Sequence, residues 1–229
     1  IILCVGNDDD VKNIINGDDG IINYLKPGTI LIDHTTTSAE LPIELNESLH
    51  LKKVSFLDAP VSGGQAGAES GILSVMVGGN KESYKDIKEI IGTYSKFIKY
   101  MGESGSGQLT KMVNQICIAG LIQALAEGIN FSDAVGLNTK DVIEVISKGA
   151  AQSWQMENRW ETMINDEYNH GFAVDLMRKD LDIVLKKAEK NNIPIDITKI
   201  VNDYYKDIQK AGGGRLDTSS LLKRIKDLI

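Results

Sequence analysis

The chain is short of several residue types that mark common functions, and each shortage removes a class of protein. Of 229 residues only two are cysteines, Cys4 and Cys117. Neither has a second cysteine or a histidine at metal-ligand spacing, so no metal site is expected. Both sit in apolar runs and read as buried thiols, which suits a reducing cytoplasm. Apolar runs long enough to cross a bilayer are also missing from this reading, so no membrane partner is expected. Positive charge is in deficit. The 25 lysines and arginines face 32 aspartates and glutamates, for a formal net charge of -7. That balance argues against a nucleic-acid surface. The group Lys186, Lys187 and Lys190 reads as a solvated helix face. Of the histidines, His34 reads as the neighbour of a ligand loop, and His50 and His170 as surface residues. None has the spacing of a hydrolase triad. What remains, 42% apolar and 25% charged residues, is the composition of a soluble globular protein.

The first part of the chain alternates strand and helix. Ile1-Ile2-Leu3-Cys4-Val5 reads as a buried strand already under way at the first residue, so the chain is expected to be truncated at its N-terminus. Asn7 to Asp10 start a helix with apolar residues at Val11, Ile14 and Ile15. Lys26-Pro27-Gly28 is a turn, and residues 29–33 form a strand. Ser38 is placed to cap the next helix, with Pro42 tolerated in its early turns. Strands follow at 54–57, 72–77 and 97–100, with a Gly- and Ala-rich loop over 60–71 and a helix over 81–91. From Ser106 onward strands vanish. Residues 106–134 read as one long helix, apolar over much of its surface. Further helices are expected at 139–148, 153–164, 175–191, 195–210 and 217–228, with Asp217 or Thr218 capping the last. The expected boundary lies between residues 1–105 and 106–229. Alternating strands and helices imply a mostly parallel sheet. In such sheets ligands bind at loops after the carboxyl ends of strands, which singles out residues 5–10, 33–38 and 58–71.

Three segments carry chemistry. In Asp58-Ala59-Pro60-Val61-Ser62-Gly63-Gly64 a strand ends, a proline fixes the turn, and a serine precedes two glycines. Backbone N–H groups without side chains, plus a hydroxyl, suit a carboxylate; a Gly-rich turn with no ligand is the equally weighted alternative. The segment is not a nucleophile elbow, which places glycines on both sides of the serine. The second segment is Gly102-x-x-Gly105-x-Gly107-x-x-x-Lys111-x-x-Asn114. Its glycine spacing is not that of a dinucleotide fingerprint. On the long helix Lys111, Asn114 and Gln115 share a face. Burial of an amine favours its neutral form and so suits it to proton transfer; the alternative is a lysine that snorkels to solvent. The third segment, Arg178-Lys179-Asp180, reads as a local ion pair at the surface.

Taken together and in this order, the segments resemble the β-hydroxyacid dehydrogenase family, which includes 3-hydroxyisobutyrate dehydrogenase and tartronate semialdehyde reductase and is related to 6-phosphogluconate dehydrogenase. The matching residues are Asp58 to Gly64, Gly67-Ala68 with Gly71, Met76 to Gly79, Gly102 to Asn114, and Lys179-Asp180-Leu181. They span essentially the whole chain. The resemblance implies the second half of a Rossmann-type α/β domain followed by an all-α domain. It implies an NAD(P)-dependent oxidoreductase that interconverts a small 3-hydroxy acid and its semialdehyde. Lys111 matches the catalytic lysine. Ser62, Gly63 and Gly64 match the loop for the substrate carboxylate, and Asn114 and Gln115 match side chains that hold the substrate. Val5, Gly6, Thr36 and Lys179 match cofactor-side positions, although the family usually has proline where Gly6 stands. The Asn114-Gln115 pair leans toward the tartronate semialdehyde reductase branch.

The resemblance also implies that a Gly-rich pyrophosphate-binding unit precedes these residues in the full-length protein, together with the residue that selects NAD or NADP. The full-length protein is then expected to be active, and this chain alone inactive or feeble. A homodimer or homotetramer is expected, because the long apolar helix and the aromatic cluster of Trp154, Trp160, Tyr168 and Phe172 offer more apolar surface than one small helical domain uses. The alternative function is a non-catalytic, dehydrogenase-like oligomerisation or ligand-binding module. A serine hydrolase built on Ser62 is a third, weaker reading.

Overall fold

The computed structural model describes residues 1–227. Two compact units make up the chain, Ile1–Asn114 and Gln115–Ile229.

The first unit is a six-stranded sheet with helices on both faces. Its elements are β1 (Ile2–Leu3), α1 (Asp8–Asn16), β2 (Ile30–Asp33), α2 (Glu40–His50), β3 (Ser55–Asp58), β4 (Val61–Ser62), α3 (Gly64–Glu69), β5 (Leu73–Gly79), α4 (Lys81–Gly92), β6 (Ser95–Gly102) and the start of α5 (Ser106–Ala134). Strand order is β1-β2-β3-β5-β4, with β6 also paired to β5. Successive residues on a strand point to opposite faces. Accordingly Leu31 and Phe56 pack with Val11, Ile15, Leu41, Leu45 and Leu49 under α1 and α2. Their neighbours Ile32 and Leu57 pack with Val75, Val77, Ile87 and Ile91 under α4. Each such side chain contributes about 1.5–3 kcal/mol through burial. Asn7 caps α1 by accepting from the Asp10 amide, and Asn80 caps α4 by accepting from the Ser83 amide. Ser38 caps α2 through its hydroxyl, which accepts from the Leu41 amide, and Pro42 lies in the first turn as expected.

Three expectations need correction here. The opening strand is short and mostly exposed: Ile1 and Ile2 are exposed and only Leu3 is buried. The sheet is mixed. β1, β2 and β3 are parallel, and so are β5 and β6, but β5 runs antiparallel to β3 and β4. The physical reason lies in the connection from β3 to β5. Residues 60–71 are not a plain loop; they contain β4 and α3. The six residues of α3 cover about 9 Å, too little to carry the chain back along a strand and start it again in parallel. The thiols of Cys4 and Cys117 are both exposed rather than buried.

The second unit is all-α. The remainder of α5 is followed by α6 (Thr139–Ile146), α7 (Trp154–Ile164), α8 (Val174–Lys190), α9 (Asp196–Lys210) and α10 (Leu221–Asp227). The last expected helix is split, because Asp217 caps a short 3-10 turn at Thr218–Ser220 before α10 begins; residue 228 lies outside the described residues. The helix α5 contradicts the expectation that no segment could cross a membrane, since its 29 residues are long and apolar enough by length and composition. Its apolar residues Ala119, Ile122, Ala126 and Ile129 nevertheless form one stripe at helical spacing, buried against Val174, Met177, Leu181, Val201 and Tyr205. Trp160 and Phe172 pack on that core and Tyr168 is inside it, whereas Trp154 is exposed and carries the Arg159 guanidinium over its ring. A buried Asp217 organises the turn before α10: it accepts from the Phe172 and Ser219 amides and pairs with Arg159.

Candidate active site

The first unit gathers its candidate residues where β2 and β3 end and α5 begins. Asp33 and Asp58 close those two strands and are register partners across the parallel ladder. Asp58 also caps α5. Its carboxylate accepts from the Gly105 amide at 2.9 Å and the Gln108 amide at 3.0 Å. That places the helix N-terminus hard against β3 and β5, which only glycine permits. A Cβ on Gly107 would stand 2.5 Å from the Met76 oxygen and 2.6 Å from the Asp58 oxygen. A Cβ on Gly78 would stand 2.6 Å from the Asp58 carboxylate.

Lys111 lies on the second turn of this anchored helix. It is 8% exposed. Its Nζ donates to the main-chain oxygen of Val61 at 2.8 Å. The amine is therefore turned inward, and the snorkelling alternative is set aside. Val61 and Ser62 form β4 and pair with Val75 and Ser74 of β5, so the acceptor carbonyl belongs to a fixed strand. Immediately after it come Gly63 and Gly64 with φ of 140° and 62°, a backbone path that L side chains rarely follow. Ser62 is half-buried and both glycines are exposed. Asn114 is half-buried, one turn beyond Lys111 on α5.

The segment after β2 is braced from several sides. Gln108 is buried, donates to the Thr35 oxygen at 2.7 Å and accepts from the Thr37 amide at 3.1 Å. Thr35 accepts from the Val5 amide through its hydroxyl, at 3.0 Å, and donates its own amide to Asp33. Thr36 is held half-buried between these two anchored neighbours. Gly6 donates its amide to Asp10 at 3.1 Å. His34 is buried as well. Its Nδ1 meets the Ala59 oxygen at 2.6 Å and its Nε2 meets the Tyr94 hydroxyl at 2.9 Å. With both ring nitrogens engaged, His34 does not serve as the base of a Ser62 triad.

Electrostatically the strand ends are unusual. Burial pushes the carboxyls of Asp33 and Asp58 up to about 6 each. Hydrogen bonds from Gly105 and Gln108 pull the other way at Asp58 without cancelling the effect of burial. At Asp33 hydrogen bonds from Thr35 likewise pull down, while one carboxyl oxygen is buried without a hydrogen-bond partner.

In the second unit Gln115 is 1% exposed and donates to Asp180 at 2.7 Å. Lys179 pairs with the other oxygen of Asp180 at 3.1 Å. Asp180 is 2% exposed, which corrects the expectation of a surface ion pair: the pair exists, but its carboxylate is inside. Arg178 turns instead to Asn202 and Gln209.

Gln108 and Tyr94 carry no expectation from the sequence, and Asp58 is expected only as the opening residue of its motif. A signal existed for Asp58, the first residue of its motif and the end of a strand. Gln108 gave none, because one glutamine near the start of a helix is ordinary.

A mixed α/β unit with a lysine helix anchored at its strand ends, followed by an all-α unit, is the build of an NAD(P)-dependent oxidoreductase. Comparison with known proteins agrees. Residues 1–102 match the model of the NAD binding domain of 6-phosphogluconate dehydrogenase. Residues 105–225 match the model described as NAD-binding of NADP-dependent 3-hydroxyisobutyrate dehydrogenase. An uncharacterised oxidoreductase of Shewanella frigidimarina is 50% identical over 226 residues, which cover 99% of this chain and 78% of that protein. The 2-hydroxy-3-oxopropionate reductase of Escherichia coli is 30% identical over 99% of this chain and 77% of its own length. The crystal structure of a 3-hydroxyisobutyrate dehydrogenase from Salmonella typhimurium superposes with a TM-score of 0.87 at 27% identity, covering 97% of this chain and 78% of that one. The chain belongs to the β-hydroxyacid dehydrogenase family of NAD(P)-dependent oxidoreductases.

The residues present fit part of such a cofactor. Val5, Gly6 and Thr36 lie on loops after the carboxyl ends of β1 and β2, where ligands of α/β sheets bind. The N-terminus of α1 does not fit a pyrophosphate, since Asp8, Asp9 and Asp10 fill its first turn with negative charge.

Proposed function

We propose that the full-length enzyme interconverts a small 3-hydroxy acid and its semialdehyde, with Lys111 as general acid and base. The observation that carries this reading is the Lys111 amine, buried and held at 2.8 Å by the carbonyl that immediately precedes Ser62. The Ser62 hydroxyl and the main chain of Gly63 and Gly64 take the substrate carboxylate, next to the amine. Asn114 holds the rest of the substrate; Gln115, buried with its amide given to Asp180, joins it only by exchanging that bond for the substrate. Val5, Gly6, Thr36 and Lys179 serve the cofactor. Names of relatives support the substrate class, since they include a 3-hydroxyisobutyrate dehydrogenase and a 2-hydroxy-3-oxopropionate reductase.

In oxidation, neutral Lys111 takes the hydroxyl proton as the carbon gives up its hydride. In reduction, the Lys111 ammonium returns that proton to the carbonyl oxygen. A nicotinamide cofactor, when bound, would provide the hydride acceptor or donor. Ser62 and the two glycines fix the carboxylate so that the reacting oxygen meets Nζ and not solvent. A homodimer or homotetramer is part of the proposal; exposed Leu109, Val113, Leu121 and Phe131 on α5 support it.

The test is oxidation of NADH and of NADPH by the full-length protein with tartronate, methylmalonate and succinate semialdehydes. Turnover of at least one is expected. A protein that neither turns over this panel nor binds either cofactor is a non-catalytic module, and the proposal fails.

A further inference from the structure

His34 occupies a position that the mechanism above leaves unused. It follows Asp33 at the end of β2, and its Nδ1 reaches the main chain just after β3, at Ala59. A carbonyl oxygen can only accept, so the 2.6 Å contact with Ala59 fixes the proton on Nδ1. Nε2 is then the acceptor, and the Tyr94 hydroxyl donates to it at 2.9 Å. The Tyr94 ring meets the imidazole edge-on, at 83° with centroids 5.6 Å apart. Burial holds the imidazole below its ordinary range and so keeps it neutral.

The atom that His34 grips matters. Ala59 is buried, and its amide is tied to the Asp33 oxygen at 2.7 Å. The next carbonyl, of Pro60, accepts from Met76 at 3.1 Å. The one after that, of Val61, holds Lys111 Nζ. Three successive carbonyls are thus each assigned one donor: an imidazole, a strand amide and the lysine. Of the three, the imidazole is the only donor that belongs to neither β5 nor α5.

We propose that His34, as its Nδ1–H tautomer, is a positioning residue for Lys111: it fixes the Ala59 carbonyl and through it the Val61 carbonyl that aims Nζ. The catalytic consequence rests on Lys111 being the acid–base group; the positioning itself does not.

The test compares three variants of the full-length enzyme. His34→Asn puts an amide N–H where Nδ1 stands and keeps the donation to Ala59. His34→Gln puts it near Nε2, reaching Tyr94 and losing Ala59. His34→Phe keeps a ring and loses both bonds. One readout is the rate of Lys111 acetylation by acetic anhydride, followed by mass spectrometry with exposed Lys85 as internal reference. The other is kcat and KM for substrate and for cofactor. We expect Lys111 labelling to rise about fivefold in His34→Gln and His34→Phe, and His34→Asn to restore most of the protection. In step with it, kcat falls roughly tenfold, KM for the carboxylated substrate rises, and KM for the cofactor stays put.

Equal labelling in the Asn and Gln variants overturns the proposal, and this pair decides the matter even if His34→Phe does not fold. Raised labelling with an unchanged kcat keeps the positioning and sinks the general acid–base role of Lys111 instead.

Discussion

Lys111 Nζ and the Val61 oxygen stand 2.8 Å apart, and Val61 is the residue before Ser62. One bond therefore ties the proposed acid–base group to the proposed carboxylate loop. Lys111→Ala is expected to lower kcat by about 10²- to 10⁴-fold, the range of general acid–base help, with cofactor affinity nearly intact. Lys111→Arg should not rescue it, since a guanidinium keeps its proton and its planar fork does not match one carbonyl. Steady-state rates with a fluorescence titration of NADH or NADPH decide the point. An alanine variant within a few-fold of wild type removes Lys111 from the chemistry.

Gln108 bridges the Thr35 oxygen and the Thr37 amide, and so presents Thr36. Gln108→Ala leaves two buried backbone groups unpaired, at about 1–3 kcal/mol each. The expected result is a cofactor KM raised about tenfold, a lower unfolding midpoint, and a kcat at saturating cofactor changed by less than threefold. If the cofactor KM stays level while stability drops, Gln108 braces the fold and not the cofactor loop.

At Gly107 the test is one of packing alone. An alanine there drives a methyl group to 2.5 Å from the Met76 oxygen and 2.6 Å from the Asp58 oxygen, both main-chain atoms that cannot swing aside. Gly107→Ala should cost about 3 kcal/mol or more, or prevent folding, although alanine is the better helix former. Gly120→Ala on the same helix, where a Cβ would meet nothing within 4 Å, should be neutral or slightly stabilising. Urea unfolding of the two variants measures the contrast. Equal stabilities would mean that the start of α5 can shift away from the strand ends.

Much of this architecture was legible in the sequence because it follows from local patterns. The apolar character of residues 106–134 marks α5, and Asn7 and Ser38 announce helix starts with side chains that satisfy first-turn amides. Strand direction was not legible, because nothing in residues 60–71 shows that the chain folds back through β4 before β5. Burial of single polar groups was equally hidden. Gln108 and Asp180 look like ordinary surface residues in sequence and His34 like a mere neighbour of a ligand loop, and only contacts with partners 60 or more positions away give them a role. Cys4 and Cys117 fail in the opposite sense, since an apolar neighbourhood in sequence can still be the outer side of a strand end or helix.

The carboxyl pair at the ends of β2 and β3 makes a prediction about pH. Burial raises Asp33 from an ordinary 3.8 to about 6 in the folded chain, with the neighbouring Asp58 and Asp8 charges adding to the shift. A folded-state pKa above the unfolded one means that the native state binds the proton more tightly. The contribution of Asp33 to stability is therefore full below about pH 4, falls as pH rises through about 6, and stays lost above that. The shift of roughly two units corresponds to on the order of 3 kcal/mol. Asn is nearly isosteric with the protonated carboxyl and does not titrate. Asp33→Asn should match wild type in stability near pH 4 and exceed it by about 2–3 kcal/mol at pH 7.5. Other carboxylates titrate in both proteins, so the difference between their urea unfolding free energies at pH 4, 5, 6 and 7.5 isolates this group. Parallel curves across that range would show that Asp33 titrates in the folded chain as an ordinary carboxylate and that its burial does not raise it.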